Sequence, residues 1–158
     1  MSEVSEIRSD LTSKIETALA SAYPNAVVAK FSGEEQALGA ATPTAQRIYL
    51  QWVGNDPQPN QVIGAVHYVN YACFCVLVAT ADNPTGDDGD VQAAAILEAI
   101  RDALKDKEVA IASADGGEGI CLENPEEWGN GRSETLLGCM GGKYLYGQAY
   151  RVEYLVAG

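Results

Sequence analysis

The chain is short of positive charge. It holds 10 Lys and Arg against 22 Asp and Glu, with one histidine, for a formal net charge of −12. Such a surface repels phosphate at long range, so a direct grip on nucleic acid is not expected. Long apolar runs are also missing: none approaches the ~20 residues that a helix needs to cross a bilayer, so no membrane partner is expected. The opening Met1-Ser2-Glu3-Val4-Ser5-Glu6 lacks the basic start and apolar centre of a signal peptide, and secretion by that route is not expected either. Cysteine is sparse, and Cys73, Cys75, Cys121 and Cys139 form no Cys-x-x-Cys pair. They read better as small buried hydrophobes in a reducing cytoplasm than as zinc ligands or disulfides.

Catalytic signatures are absent in the same way. His67 stands alone, with no Ser or Cys partner at a telling spacing. The acidic segments Asp82–Asp90 and Asp115–Glu118 lack the alternating ligands, central glycine and distant glutamate of an EF-hand. Gly116-Gly117-Glu118-Gly119 is not followed by Lys-Ser/Thr and is not a phosphate loop. No carboxylate pair falls at a spacing that argues hydrolysis. The expectation is therefore a protein that is not an enzyme, with no catalytic residue, no cofactor and no metal.

What is present is an ordinary globular profile. With 158 residues, 47% hydrophobic and 20% charged, the chain fits one domain, 1–158, with a core that needs no staples. Val4, Ile7, Leu11, Ile15 and Leu19 recur at three- and four-residue steps, the stripe of an amphipathic helix. Ser2 or Ser5 suits its cap, and Pro24 sets its latest end. Ala26 to Phe31 reads as a strand, residues 32–46 as a polar loop, and Arg47–Val53 as a second strand of aromatic and branched residues. Gly54–Asn60, with two prolines, reads as a break.

The run from Ala65 to Val78 then pairs antiparallel with the second strand. At ~3.3 Å per residue it is longer than a usual strand, so either a bulge bends it or one end projects toward a neighbour. An acidic Gly/Pro loop, Ala81–Gly89, leads to Asp90 as N-cap of a second helix. Its inward stripe is Ala94, Leu97, Ile100, Arg101 and Leu104, and it ends near Lys105-Asp106-Lys107. Val109–Ala112 is either a short strand or the tail of the helix connection. Residues 109–143 otherwise read as Gly-rich turns and loops, and Tyr144–Val156 as a closing strand with Gly147 a candidate bulge. The fold class is α+β: a mainly antiparallel sheet of about four to five strands, with two amphipathic helices packed on one face.

The order and spacing of these parts resemble the tail-terminator proteins of tailed bacteriophages, in particular the Mu-like branch. The likeness runs through Leu19…Tyr23-Pro24, Val27–Gly33, Ile48-Tyr49-Leu50, Phe74–Val78, the helix Ala94-Ile96-Leu97-Ile100-Arg101-Leu104 and Tyr150-Val152-Tyr154. It implies a structural virion protein, assembled in the host cytoplasm and found at the head-proximal end of the tail. Six copies would form a ring that caps the tail tube, ends tube polymerisation and offers the head-joining surface. The implied partners are further copies of itself, the tail tube protein, the sheath protein and the head–tail connector or neck proteins, with genomic DNA passing through the lumen without specific binding. The alternative is another neck protein of related fold, a tail-completion or head-closure protein. The resemblance implies no active site. Residues 109–143 look expanded against the family pattern.

The charge fits a ring that DNA must slide through, since a negative lumen does not hold phosphate. Acidic loops reach a lumen without disturbing a sheet, which makes Asp82, Asp87 and Asp88 the lumen-lining candidates. The competing expectation is that these aspartates solvate the outer surface and cap the helix that follows.

Overall fold

The computed structural model describes residues 2–62, 67–124 and 134–157. In order these form α1 (Glu3–Leu19), β1 (Val27–Ala29), α2 (Glu34–Ala40), β2 (Arg47–Val62), β3 (His67–Ala81), α3 (Gly89–Leu104), β4 (Glu108–Ala110), β5 (Asp115–Glu123), β6 (Glu134–Met140) and β7 (Lys143–Ala157). The strands make one seven-stranded sheet in the order β1-β2-β3-β7-β5-β4, with β6 also on β7. All pairs are antiparallel except β1 with β2. The sheet is thus mixed and larger than the four to five strands expected.

The two periodic helices form as the apolar spacing predicts. The Ser2 side chain accepts from the Ser5 amide and caps α1. Ile7, Leu11, Ile15 and Leu19 are buried along its stripe. On α3 the buried set is Ala93, Ile96, Leu97, Ile100 and Leu104, while Ala94 is exposed and Arg101 half-buried, so the inward face is turned from the one expected. Both helices pack on one face of the sheet. There Leu11, Ile15, Leu19, Leu97, Ile100 and Leu104 share a core with Ile48, Phe74, Val76, Tyr150 and Val152. α1 touches β1 and β2, and also β4, so the sheet curls around it.

Helix α2 was not expected. It lies on the opposite face, where Ala37, Leu38 and Ala41 bury against Tyr49, Leu77, Ala79 and Leu145. Its two buried side chains, Ala37 and Leu38, give too little periodicity to mark a helix in a polar stretch. The two-helices-on-one-face expectation is therefore corrected to two on one face and a short third on the other.

The expected break at Gly54–Asn60 is also corrected. β2 runs on through Pro57 in pairing with β3, and a bulge between Trp52 and Gly54, with Gly54 at φ 135°, takes up the turn residue. Proline is tolerated here because β1 covers β2 only at Arg47–Tyr49, so the rest of β2 is an edge that needs no outward N–H. In residues 109–143 two strands replace expected loops. β5 begins at Asp115 and carries Gly116 and Gly117 at positive φ in its bulge opposite β7, and β6 follows as a hairpin partner of β7. The stretch Pro125–Arg132, read as turns, lies outside the described residues.

Candidate interaction surface

The acidic loop is built around one of its aspartates. Asp82 is partly buried, and its Oδ1 accepts the Gly89 amide at 2.7 Å at the start of α3. Its Oδ2 accepts the Tyr144 hydroxyl at 3.3 Å, and its own amide donates to the Gly142 carbonyl at 2.8 Å. Burial and the nearby Asp82 carboxylate raise the Tyr144 phenol above its usual pKa. Asp82 therefore joins the loop, α3 and the β6–β7 turn.

Asp87 and Asp88 are exposed. Asp88, not the expected Asp90, occupies the N-cap position of α3, and its side chain caps no amide. The buried Gln92 holds the loop from below, donating to the carbonyls of Ala81 at 3.1 Å and Asp87 at 2.9 Å and accepting from Gln46 at 2.9 Å. Gln92 escaped sequence reasoning. Its only signal is a polar residue four before Ile96 on the apolar face, which capping and periodicity rules pass over. Of the three lumen candidates, two point to solvent and one is engaged inside the fold.

A second polar cluster ties α3 to the strands that split the edge of β7. Arg101 pairs with Glu134 of β6, and its Nε lies 3.4 Å from Glu123 Oε1 of β5. His67 at the start of β3 sits 3.1 Å from Asp115 Oδ2 at the start of β5. Arg151 lies over the Tyr71 ring, 4.5 Å from its centroid, on the face of the sheet away from α1 and α3. Cys73 and Cys75 share that face, as their spacing predicts. Cys121 points into the core, where burial pushes its thiol up to about 12, and Cys139 is exposed on β6. Among the described residues no three His, Cys, Asp or Glu side chains converge as metal ligands would.

Among the described residues two long strand edges are open, besides the short ones of β1 and β4. On β2 no described residue pairs beyond Tyr49 on the side away from β3. β6 pairs only with β7, and among the described residues nothing pairs with its other side. Exposed apolar side chains gather there: Trp52 and Val53 on β2, Leu136 and Met140 on β6. Edges of this kind ordinarily carry devices against pairing, so exposed hydrophobes on them mark contact surfaces. Beside them Phe31, Val53, Leu77, Leu137 and Leu145 line a shallow groove of about 360 Å³ on the α2 face. The arrangement suits contact between proteins more than chemistry on a small molecule, which calls for a concave site with converging polar groups.

No protein-family model matches the chain. No curated protein matches it. Among solved structures it is similar to a chain of the virion of a native gene transfer agent (GTA) particle, with a TM-score of 0.57 at 12% identity, covering 99% of this chain and 98% of that one. At that identity the likeness is one of fold.

Proposed function

We propose that this chain is a structural protein of a phage-like virion, and specifically a tail terminator. Six copies form a ring on the head-proximal end of the tail tube. The ring ends tube polymerisation and presents the surface that the head joins. The observation that carries this reading is the end-to-end likeness to a chain of a GTA virion, which spans nearly all of both chains. The order of elements supports it independently. Its partners are further copies of itself, the tail tube and sheath proteins, and the connector or neck proteins. The chain performs no catalysis in this reading.

DNA passes through the ring without adhering, because a chain of net charge −12 offers it few cations. Asp87 and Asp88 are the residues that suit a lumen, being exposed on a loop. Asp82 serves the loop's own structure, so its lumen role is the weaker part of the reading. A second reading, a tail-completion or head-closure protein, draws on the same likeness, since the matched virion is a whole particle.

The test mixes the purified chain with isolated tail tubes and with filled heads and locates it by electron microscopy. Density on the head-proximal tube end, with tube growth stopped, is the expected result. Binding to heads and not to tubes selects the second reading. Virions carrying Asp87→Lys and Asp88→Lys should eject DNA more slowly at low salt, through new phosphate contacts. An unchanged ejection rate would remove the lumen placement alone.

A further inference from the structure

We infer that the outer edge of β1 takes up an extended, acidic segment of a partner protein, with Arg8, Lys30 and Arg47 holding its carboxylates. This goes beyond the terminator reading and does not depend on it, because it names what one edge of a single chain binds.

β1 ends the strand order and pairs only with β2. The Val27 amide donates to the Gln46 carbonyl on the β2 side, so strand alternation turns the N–H and C=O of Val28 outward. No described strand meets them, and an added strand can. Val27 places an exposed apolar side chain beside that edge.

Cations flank the edge on both faces. A groove of about 380 Å³ lies between α1 and β1, with Arg8 and Lys30 in its wall. A second, of about 220 Å³, lies on the α2 side of β1 and is lined by Lys30 and Arg47. Among the described residues no carboxylate lines either groove. In a chain whose acids outnumber Lys and Arg by 22 to 10, that is a local reversal of sign. None of the three cations is in an ion pair among the described residues. The acids closest in sequence are engaged elsewhere. Glu6 accepts from Ser113, Asp10 pairs with Lys14, and Glu34 lies against Gly138 of β6 and lines the separate groove at Val53.

The two grooves say how such a segment is read. Successive side chains of an added strand point to opposite faces. One enters the α1 groove toward Arg8 and the next the α2 groove toward Arg47, with Lys30 reaching both. The edge therefore selects acidic residues at successive positions. Duplex DNA fits less well, since it is charged along its whole length and meets the acidic surface beyond the grooves. A short segment meets the local cations, because charges more than about 8 Å away are screened at physiological salt. DNA also brings no peptide backbone to pair with Val28.

The test titrates the full chain with an acetylated and amidated peptide, Thr-Val-Glu-Glu-Glu-Val-Thr, by calorimetry at low salt. The acidic peptide should bind, and the same peptide with glutamine for glutamate should not. Arg8→Gln combined with Lys30→Gln should weaken binding about five- to tenfold, the loss of two exposed ion pairs. Lys105→Gln combined with Lys107→Gln makes the same charge change at exposed positions past α3 and should leave binding unchanged. Circular dichroism checks that both double variants fold. Hydrogen exchange at the Val28 amide should slow when the peptide is added.

No binding at millimolar peptide, or equal weakening by the two double variants, would overturn the inference. Binding that leaves Val28 exchange unchanged would overturn it as well, since the cations would then act without the edge. A short DNA duplex that binds more tightly than the peptide and is lost in the Arg8→Gln, Lys30→Gln variant would give the patch to nucleic acid instead. Self-association of the wild type that slows Val28 exchange without peptide would give the edge to a second copy, again against the inference. Capping of tail tubes is a separate measurement, so this inference and the terminator reading fail independently.

Discussion

Strands β2 and β3 are neighbours of nearly equal length, yet only one of them is an interior strand. β3 pairs along its whole length with β7 and from Tyr68 to Ala79 with β2, and from Ala72 onward it is buried almost without interruption. Among the residues of β2 whose burial is described, those from Ile48 to Leu50, where β1 and the helices reach it, are buried, and those from Gln51 to Gln58 are exposed or half-exposed. Phe74 and Trp52 face each other across the pair, the first wholly buried and the second 41% exposed. An interior strand serves the fold. The long edge strand leaves Trp52 and Val53 in the open, where they add little to the monomer's own stability.

The largest expected effect breaks that comparison at its centre. Phe74→Ala removes a fully buried ring from the core shared by α1, α3 and the sheet. It should cost ~3–5 kcal/mol in urea or thermal unfolding, through lost transfer energy and the cavity left behind. Trp52→Ala, directly opposite, should cost under ~1 kcal/mol, as exposed substitutions do, because it loses partial packing and a hydrogen bond to Asn55. Equal losses at the two positions would mean that β2 is as much core as β3.

The acidic loop offers the same contrast on a smaller scale. Asp82→Ala strips the Gly89 amide and the Tyr144 hydroxyl of their acceptor and should cost ~1–2 kcal/mol, the range for losing a helix cap. Asp87→Ala changes an exposed side chain and should stay within ~0.5 kcal/mol. If Asp87→Ala were the costlier of the two, the loop would be held from its tip and not from its base.

What the residues disclose follows the same division. Periodic stripes made α1 and α3 legible, and unbroken apolar runs made β3 and β7 legible, because burial on a regular lattice leaves a regular pattern. β2 past Gly54, β5 and β6 were not. There the strand is set by pairing with an already formed neighbour, and an edge tolerates Pro57, Gly116 and Gly117, residues that read as loop. The acidic loop was visible as a loop, but which aspartate it buries depends on Tyr144 and Gln92 arriving from distant parts of the chain. The open edges left no sequence signal at all, since openness is a property of what does not pair.

A pH profile sharpens the inside of the comparison. Burial raises the Tyr150 phenol well above its unperturbed 10.0 and the Cys121 thiol from 9.0 to about 12. Both groups are neutral in the fold and ionise first in the unfolded chain. Their contribution to stability is therefore fully present below the unfolded values, begins to fall as pH passes 9.0 for Cys121 and 10.0 for Tyr150, and for Cys121 is gone above about 12. The melting temperature should decline through that window. Cys121→Ser should change the onset of the decline.

The smallest effect on stability comes from the edge itself and is read by reactivity. Cys139 is exposed on β6, and Cys121 is wholly buried on β5 with a thiol kept protonated by its surroundings. The thiolate is the reacting form, so burial and a raised pKa both slow reaction at Cys121. At neutral pH and low protein concentration, maleimide should modify Cys139 rapidly and leave Cys121 untouched until the chain unfolds, with peptide mapping assigning each site. Modification of Cys121 in the folded chain as fast as that of Cys139 would mean that β5 is not closed off by the core, and the contrast between an interior and an open edge would have to be redrawn.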